Sequence, residues 1–161
     1  MIIVVMGVSG SGKTSVGKRL AQRLLCDFID ADDFHSADNK AKMHSGIPLT
    51  DEDRQPWLQS LAELISAHRQ AGTSLVLACS ALKEAYRQIL AGTEGSKPIF
   101  VFLKVSPAIL EKRLAHRRHE FMNPSLLKSQ FQTLEEPHNA IVVDAGQSLN
   151  ATVKDIMEAL D

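Results

Sequence analysis

Gly7-Val8-Ser9-Gly10-Ser11-Gly12-Lys13-Thr14 fits the pattern Gly-x4-Gly-Lys-Ser/Thr. Its neighbours decide the fold. The apolar run Ile2-Ile3-Val4-Val5-Met6 lies just before it and reads as a buried strand. Residues 13–25 follow, with Val16, Leu20 and Leu24 on one face of a predicted helix. Strand, glycine-rich turn and helix is the context this pattern needs to cradle phosphates. The glycines let backbone N–H groups turn inward, and the helix N-terminus adds its partial positive charge. Residues 7–15, through Ser15, are therefore the expected phosphate-binding segment. Lys13 is placed to reach the β- and γ-phosphates of ATP, and the Thr14 hydroxyl to bind Mg2+.

Outward from this motif, strand-like runs alternate with helical patterns. Residues 28–30, 74–79, 99–105 and 141–144 read as further strands. Residues 37–44, 56–70 and 83–90 read as helices. Ser106 caps another helix with Pro107 at its first position, and Ser148 caps the last, which buries Val153, Ile156, Met157 and Leu160. Five strands alternating with helices predict an α/β fold, a parallel sheet covered on both faces, with ligands at the carboxyl ends of the strands. Residues 117–124 break the alternation and read as a mobile lid. With 161 residues, one domain spanning 1–161 is expected.

The composition is that of a globular chain, 44% hydrophobic and 23% charged, with a formal net charge of −1. No global basic field points to nucleic acid or an anionic membrane. The apolar start is too short to span a bilayer and lacks the basic residues of a signal peptide. Cys26 and Cys79 each lie in or beside an apolar run and read as buried thiols. The cytoplasm is the expected compartment.

The glycine-rich motif alone does not separate kinases from GTPases or motors. A guanine-reading Asn-Lys-x-Asp is missing: Asn39-Lys40-Ala41-Lys42 lacks the acid and lies too early. The third strand ends Leu77-Ala78-Cys79-Ser80, without the aspartate that switches and motors use. The acids follow the second strand instead, as Asp30-Ala31-Asp32. In that placement Asp30 serves the Mg2+ shell and Asp32 faces an acceptor hydroxyl as general base or orienter. Arg113 and Arg117, four apart, share a helix face over the phosphates, and Arg118 and His119 continue into the lid. This is the pattern of a small-metabolite kinase. An acidic turn and a solvated basic helix end are the plainer readings of the same residues.

Further blocks carry a family likeness. They are Asp30-Ala31-Asp32-Asp33-Phe34-His35; Asn39-x-x-Lys42-Met43-x-x-Gly46-Ile47-Pro48-Leu49; Asp51-Glu52-Asp53-Arg54-Gln55-Pro56-Trp57-Leu58; and Ala78-Cys79-Ser80-Ala81-Leu82-Lys83-x-x-Tyr86-Arg87. Phe121-Met122 and Ser129-Gln130-Phe131-x-Thr133-Leu134-Glu135-x-Pro137 follow. With these the chain resembles the gluconate kinases (gluconokinases), small P-loop kinases related to shikimate and nucleoside monophosphate kinases. The resemblance implies a three-layer P-loop NTPase fold with sheet order 2-3-1-4-5, a homodimer, and ATP-dependent phosphorylation of D-gluconate at its terminal hydroxyl. It implies that Arg113 packs against adenine, that residues 144–147 border it, and that Arg117 reaches the phosphates. Arg54 is the expected partner of the substrate carboxylate, because a guanidinium meets a carboxylate at two points. His35, Lys42, Lys83 and Gln130 are further expected substrate ligands. The chain departs from the family at His119-Glu120, where Gly-His is usual, so no role passes to a lid histidine.

Trp57 sits on an apolar helical stripe and reads as core. Met43 fits either core or site, and His68, His116 and His138 read as structural. The competing functions are another small P-loop kinase, for shikimate or a nucleotide, and a nucleotide-binding regulator without catalysis. Cys79-Ser80-Ala81 stands where a shikimate kinase is expected to carry three glycines.

Overall fold

The computed structural model describes residues 1–116 and 124–161. Within them five strands form one parallel sheet: β1 (Ile2–Met6), β2 (Asp27–Asp30), β3 (Leu75–Ala78), β4 (Ile99–Lys104) and β5 (Ile141–Asp144). The order is β2-β3-β1-β4-β5, as expected. β1 pairs with β3 from Ile2 opposite Leu75, and with β4 from Ile3 opposite Ile99. The helices are α1 (Lys13–Leu24), α2 (Ala37–His44), α3 (Asp51–Ala71), α4 (Glu84–Ala91), α5 (Pro107–His116), α6 (Pro124–Thr133) and α7 (Leu149–Leu160). A single 3-10 turn, Ala31–Phe34, follows β2.

Strand alternation divides the core in two. On β1, Ile3 and Val5 join α1, α5, α6 and α7 on one face, through Leu20, Leu110, Leu127 and Ile156. Ile2, Val4 and Met6 face α3 and α4 on the other, against Leu58, Leu61, Ile65 and Leu90. Because β1 is buried on both faces it is apolar at every position, as a central parallel strand should be. Each fully buried Leu or Ile contributes roughly 1.5–3 kcal/mol.

α3 begins at Asp51, five residues before the expected start at Pro56. Thr50 caps it: its side chain accepts from Asp53 N, and the Asp53 carboxylate accepts from Thr50 N, both at 3.0 Å. Such a box satisfies two otherwise orphan N–H groups. Pro56 sits inside the helix near its start, where it removes a single N–H. Asp51, Asp53 and Arg54, which precede the expected helix start, are thus on the helix itself.

Candidate active site

The segment from Gly7 to Lys13 leaves β1, and Gly12 caps α1 in a left-handed conformation, φ 101°. That backbone lets the amides at the start of α1 point outward as an anion site. Lys13 folds over the loop, its Nζ donating to Val8 O at 3.1 Å. Burial lowers its pKa, although Asp32 and then Cys79 and Asp30 raise it. An anionic phosphoryl group beside Lys13 would reverse that shift.

Asp30 ends β2 and receives two donors. Thr14 Oγ1 donates to Oδ2 at 2.8 Å, and Asp32 N to Oδ1 at 3.0 Å. One carboxylate therefore sets both the hydroxyl of the phosphate cradle and the turn that presents Asp32. Desolvation raises the Asp32 pKa, opposed by Lys13 and reinforced by Asp30 and Asp33. The Thr14–Asp30 pair offers hard oxygen donors beside the cradle. Among the described residues no three His, Cys, Asp or Glu side chains form a metal cage. This donor set fits Mg2+, which keeps most of its shell as water and substrate phosphate.

Two cavities open here. The wider, of about 630 Å³, is lined by Gly10, Gly12, Lys13, Thr14, Ser15, Asp30 and Asp32, with Asp33, Lys40 and Met43 opposite. The narrower, of about 80 Å³, is lined by His35, Arg54, Trp57, Ser80, Ser129, Gln130 and Thr133. Ser9, Lys13, Asp32 and Met43 line both.

In the narrow cavity Arg54 Nη1 donates to Leu49 O at 2.6 Å and to Tyr86 Oη at 3.0 Å, and the guanidinium lies 5.3 Å from the Tyr86 ring centroid. Among the described residues nothing pairs with Nη2 or Nε, so Arg54 keeps donors for a carboxylate. Gln130 reaches from α6 to the glycine-rich loop, accepting from Ser9 N at 2.7 Å and donating to Ser9 Oγ at 3.1 Å.

Lys42 and Lys83 do not line either cavity. Lys42 is paired with Asp53 at 2.9 Å and Lys83 with Asp51 at 3.1 Å. Those partners were invisible in the sequence because they depend on the α3 N-terminus. Arg113 is an internal clamp: Nη1 donates to Gly10 O at 3.1 Å and to Ser11 O at 3.4 Å, and Nη2 donates to Ala145 O. It joins the phosphate loop to residues 144–147. Arg117 and the lid expected at 117–124 lie, up to residue 123, outside the described residues.

Several features of the cavity walls were not read from the sequence. Trp57 is core, as expected, but also wall: its Nε1 donates to Ala31 O at 2.7 Å and its ring stacks on His35. Asn39 is buried behind His35. Asn39 and Met43 are four apart on α2, a spacing that could have marked a common face. Ser80 is positioned by Ala81, whose left-handed backbone (φ 45°) is held by Arg87 Nη1 on its carbonyl at 2.7 Å.

A phosphate cradle, a Thr–Asp oxygen pair and a second, smaller polar cavity define a P-loop kinase acting on a small molecule. A family model described as shikimate kinase matches residues 9–161. A probable gluconokinase from Xenopus tropicalis is 44% identical, covering 100% of this chain and 94% of its own. A sugar kinase from Janibacter sp. HTCC2649 superposes with a TM-score of 0.94 at 43% identity, covering 99% of this chain and 94% of its own. A gluconokinase from Sinorhizobium meliloti 1021 gives 0.89 at 42% identity, with 98% and 90% covered. The chain belongs to the gluconokinase family, an ATP-dependent branch of the P-loop kinases.

Proposed function

We propose that the chain transfers the γ-phosphoryl group of ATP to the terminal hydroxyl of D-gluconate, giving 6-phospho-D-gluconate. The observation that carries this reading is the meeting of the two cavities at Ser9, Lys13, Asp32 and Met43. Donor phosphates in the wider cavity and an acceptor hydroxyl in the narrower one would face each other there.

Backbone amides at the start of α1 hold the phosphates and Lys13 stabilises the charge that spreads over the transferred group. Thr14 and Asp30 would hold Mg2+, which when bound would neutralise phosphate charge. Asp32 orients the acceptor hydroxyl and takes its proton; a raised pKa makes it a better base than a free aspartate. Arg54 receives the sugar-acid carboxylate through its free edge, and His35 and Gln130 hold the polyol. Lys42 and Lys83 steady the helix start that carries Arg54. Arg113 borders the adenine, and Arg117 closes over the phosphates.

Among the described residues no helix is long and apolar enough to cross a membrane. The proposed working form is a cytoplasmic homodimer of one kinase domain each, which sedimentation of the purified chain would test.

The testing experiment is ADP release with ATP, Mg2+ and D-gluconate, the product then being offered to 6-phosphogluconate dehydrogenase. Signal in both steps is expected. Turnover of shikimate or a nucleoside monophosphate, with none of gluconate, would refute the acceptor.

A further inference from the structure

Among the described residues His35 is the one imidazole lining the narrow cavity, and its surroundings bear on which nitrogen carries the proton. It is 8% exposed and stacked on Trp57, with centroids 4.1 Å apart and planes 16° off parallel. Trp57 is itself tied through Nε1 to Ala31 O. The stacking favours this ring orientation.

Behind it lies Asn39, 6% exposed. The Asn39 amide makes two contacts through the same atom: Asp53 O at 2.9 Å and His35 Nδ1 at 3.4 Å. A backbone carbonyl can only accept, so the atom facing Asp53 O is the amide nitrogen. That leaves its second hydrogen for His35 Nδ1 at 3.4 Å, a contact that pairs donor with acceptor when Nδ1 is unprotonated. In a neutral ring the proton is left on Nε2. Burial, then Arg54 and Lys40, lowers the His35 pKa to about 4, so the ring is neutral near pH 7. Nε2 has no partner among the described residues. The ring itself lines the narrow cavity.

We propose that Asn39 is a positioning residue that fixes His35 as the Nε2–H tautomer, and that this N–H donates to a hydroxyl oxygen of the polyol acceptor. The inference rests on the acceptor reading above. A neutral donor suits a hydroxyl, while the charged Arg54 meets the carboxylate. The two groups thus read the two chemical ends of a sugar acid.

The test begins with a long-range proton–nitrogen NMR spectrum of the intact chain, in which bare and protonated imidazole nitrogens are well separated. His35 is expected to carry its proton on Nε2, and to move it to Nδ1 in Asn39→Asp, where a carboxylate replaces the donor. The gluconate KM of that variant should rise about tenfold, the worth of one hydrogen bond, with the ATP KM little changed. Because Asn39→Asp also faces the Asp53 carbonyl, a second pair guards against misfolding. A Gln amide nitrogen overlays Nε2 and an Asn amide overlays Nδ1. Both lose the stacking on Trp57 equally, so His35→Gln should keep a lower gluconate KM than His35→Asn, by about tenfold. An Nδ1–H tautomer in the unmodified chain, or equal KM values for the two His35 variants, overturns the proposal. Turnover of no polyol acid, with the Nε2–H tautomer in place, instead refutes the acceptor reading and the donor role with it.

Discussion

Gln130 holds Ser9 at two points, accepting from its backbone N–H at 2.7 Å and donating to its hydroxyl at 3.1 Å. An acceptor-side helix thereby fixes the phosphate loop. Gln130→Ala should leave the fold intact and lower kcat/KM for gluconate by about tenfold, since two modest hydrogen bonds are lost. Steady-state kinetics would check this, and a value within twofold of the parent would count against the clamp.

Among the described residues Lys13 is the cation that lines both cavities. Lys13→Ala should lower kcat by about 10²-fold or more, because its ammonium lies on the wall that both cavities share, where the phosphoryl group would pass. Single-turnover assays at saturating ATP would separate this from weaker binding. Near-parent turnover would remove Lys13 from the chemistry.

Asp32→Asn should cost about 10²-fold or more in kcat while altering ATP affinity little. The base must be ionised, so gluconate turnover should fall as pH drops through the Asp32 pKa, at a higher pH than an ordinary aspartate would give. Stability should move oppositely. Because its folded pKa is raised, Asp32 favours the fold when protonated, and that support is lost as pH rises through the folded pKa. Asp32→Asn should therefore raise Tm at neutral pH, measured by calorimetry, and a lowered Tm would contradict the sign.

His35 titrates in the other sense. Its pKa falls from about 6.5 in an unfolded chain to about 4 in the fold. Its contribution is present above the unfolded value and is lost as pH falls toward the folded one. Between those two values the chain should lose more Tm than His35→Gln does; parallel Tm curves for both would dismiss the effect.

Gly17 lies on α1 against β2. A Cβ there would come within 2.5 Å of Phe28 Cε1 and 3.1 Å of Cδ1. Alanine would normally gain about 1 kcal/mol over glycine inside a helix. Here the overlap should win, and Gly17→Ala should destabilise by about 1–3 kcal/mol. Urea midpoints would decide, and a more stable variant would show that the ring can shift.

Strands and phosphate loop were legible because they rest on local pattern: the apolar run of β1 and the fixed spacing of Gly7, Gly12 and Lys13. The start of α3 was not. Pro56 suggested a boundary, while Thr50 and Asp53 formed the actual cap three residues apart. Misplacing that start also hid the fate of Lys42 and Lys83, whose partners Asp53 and Asp51 became helical. Arg54 was found by charge type, but its dependence on Tyr86, 32 residues away, is purely tertiary. Asn39 was legible only as part of a family block and by its spacing from Met43, since nothing in its residue type shows that it orients a neighbour.

Asp32, His35, Asn39, Met43, Arg54 and Trp57 all belong to the stretch that leaves β2 and returns through α3 to β3. The phosphate cradle is encoded elsewhere, between β1 and α1. Much of the acceptor-side wall is thus written as one passage within the gene, to which Ser80, Ser129, Gln130 and Thr133 are added from outside it. Exchange or gradual rewriting of residues 31–57 could redirect such an enzyme to a new metabolite while its nucleotide half stayed unchanged.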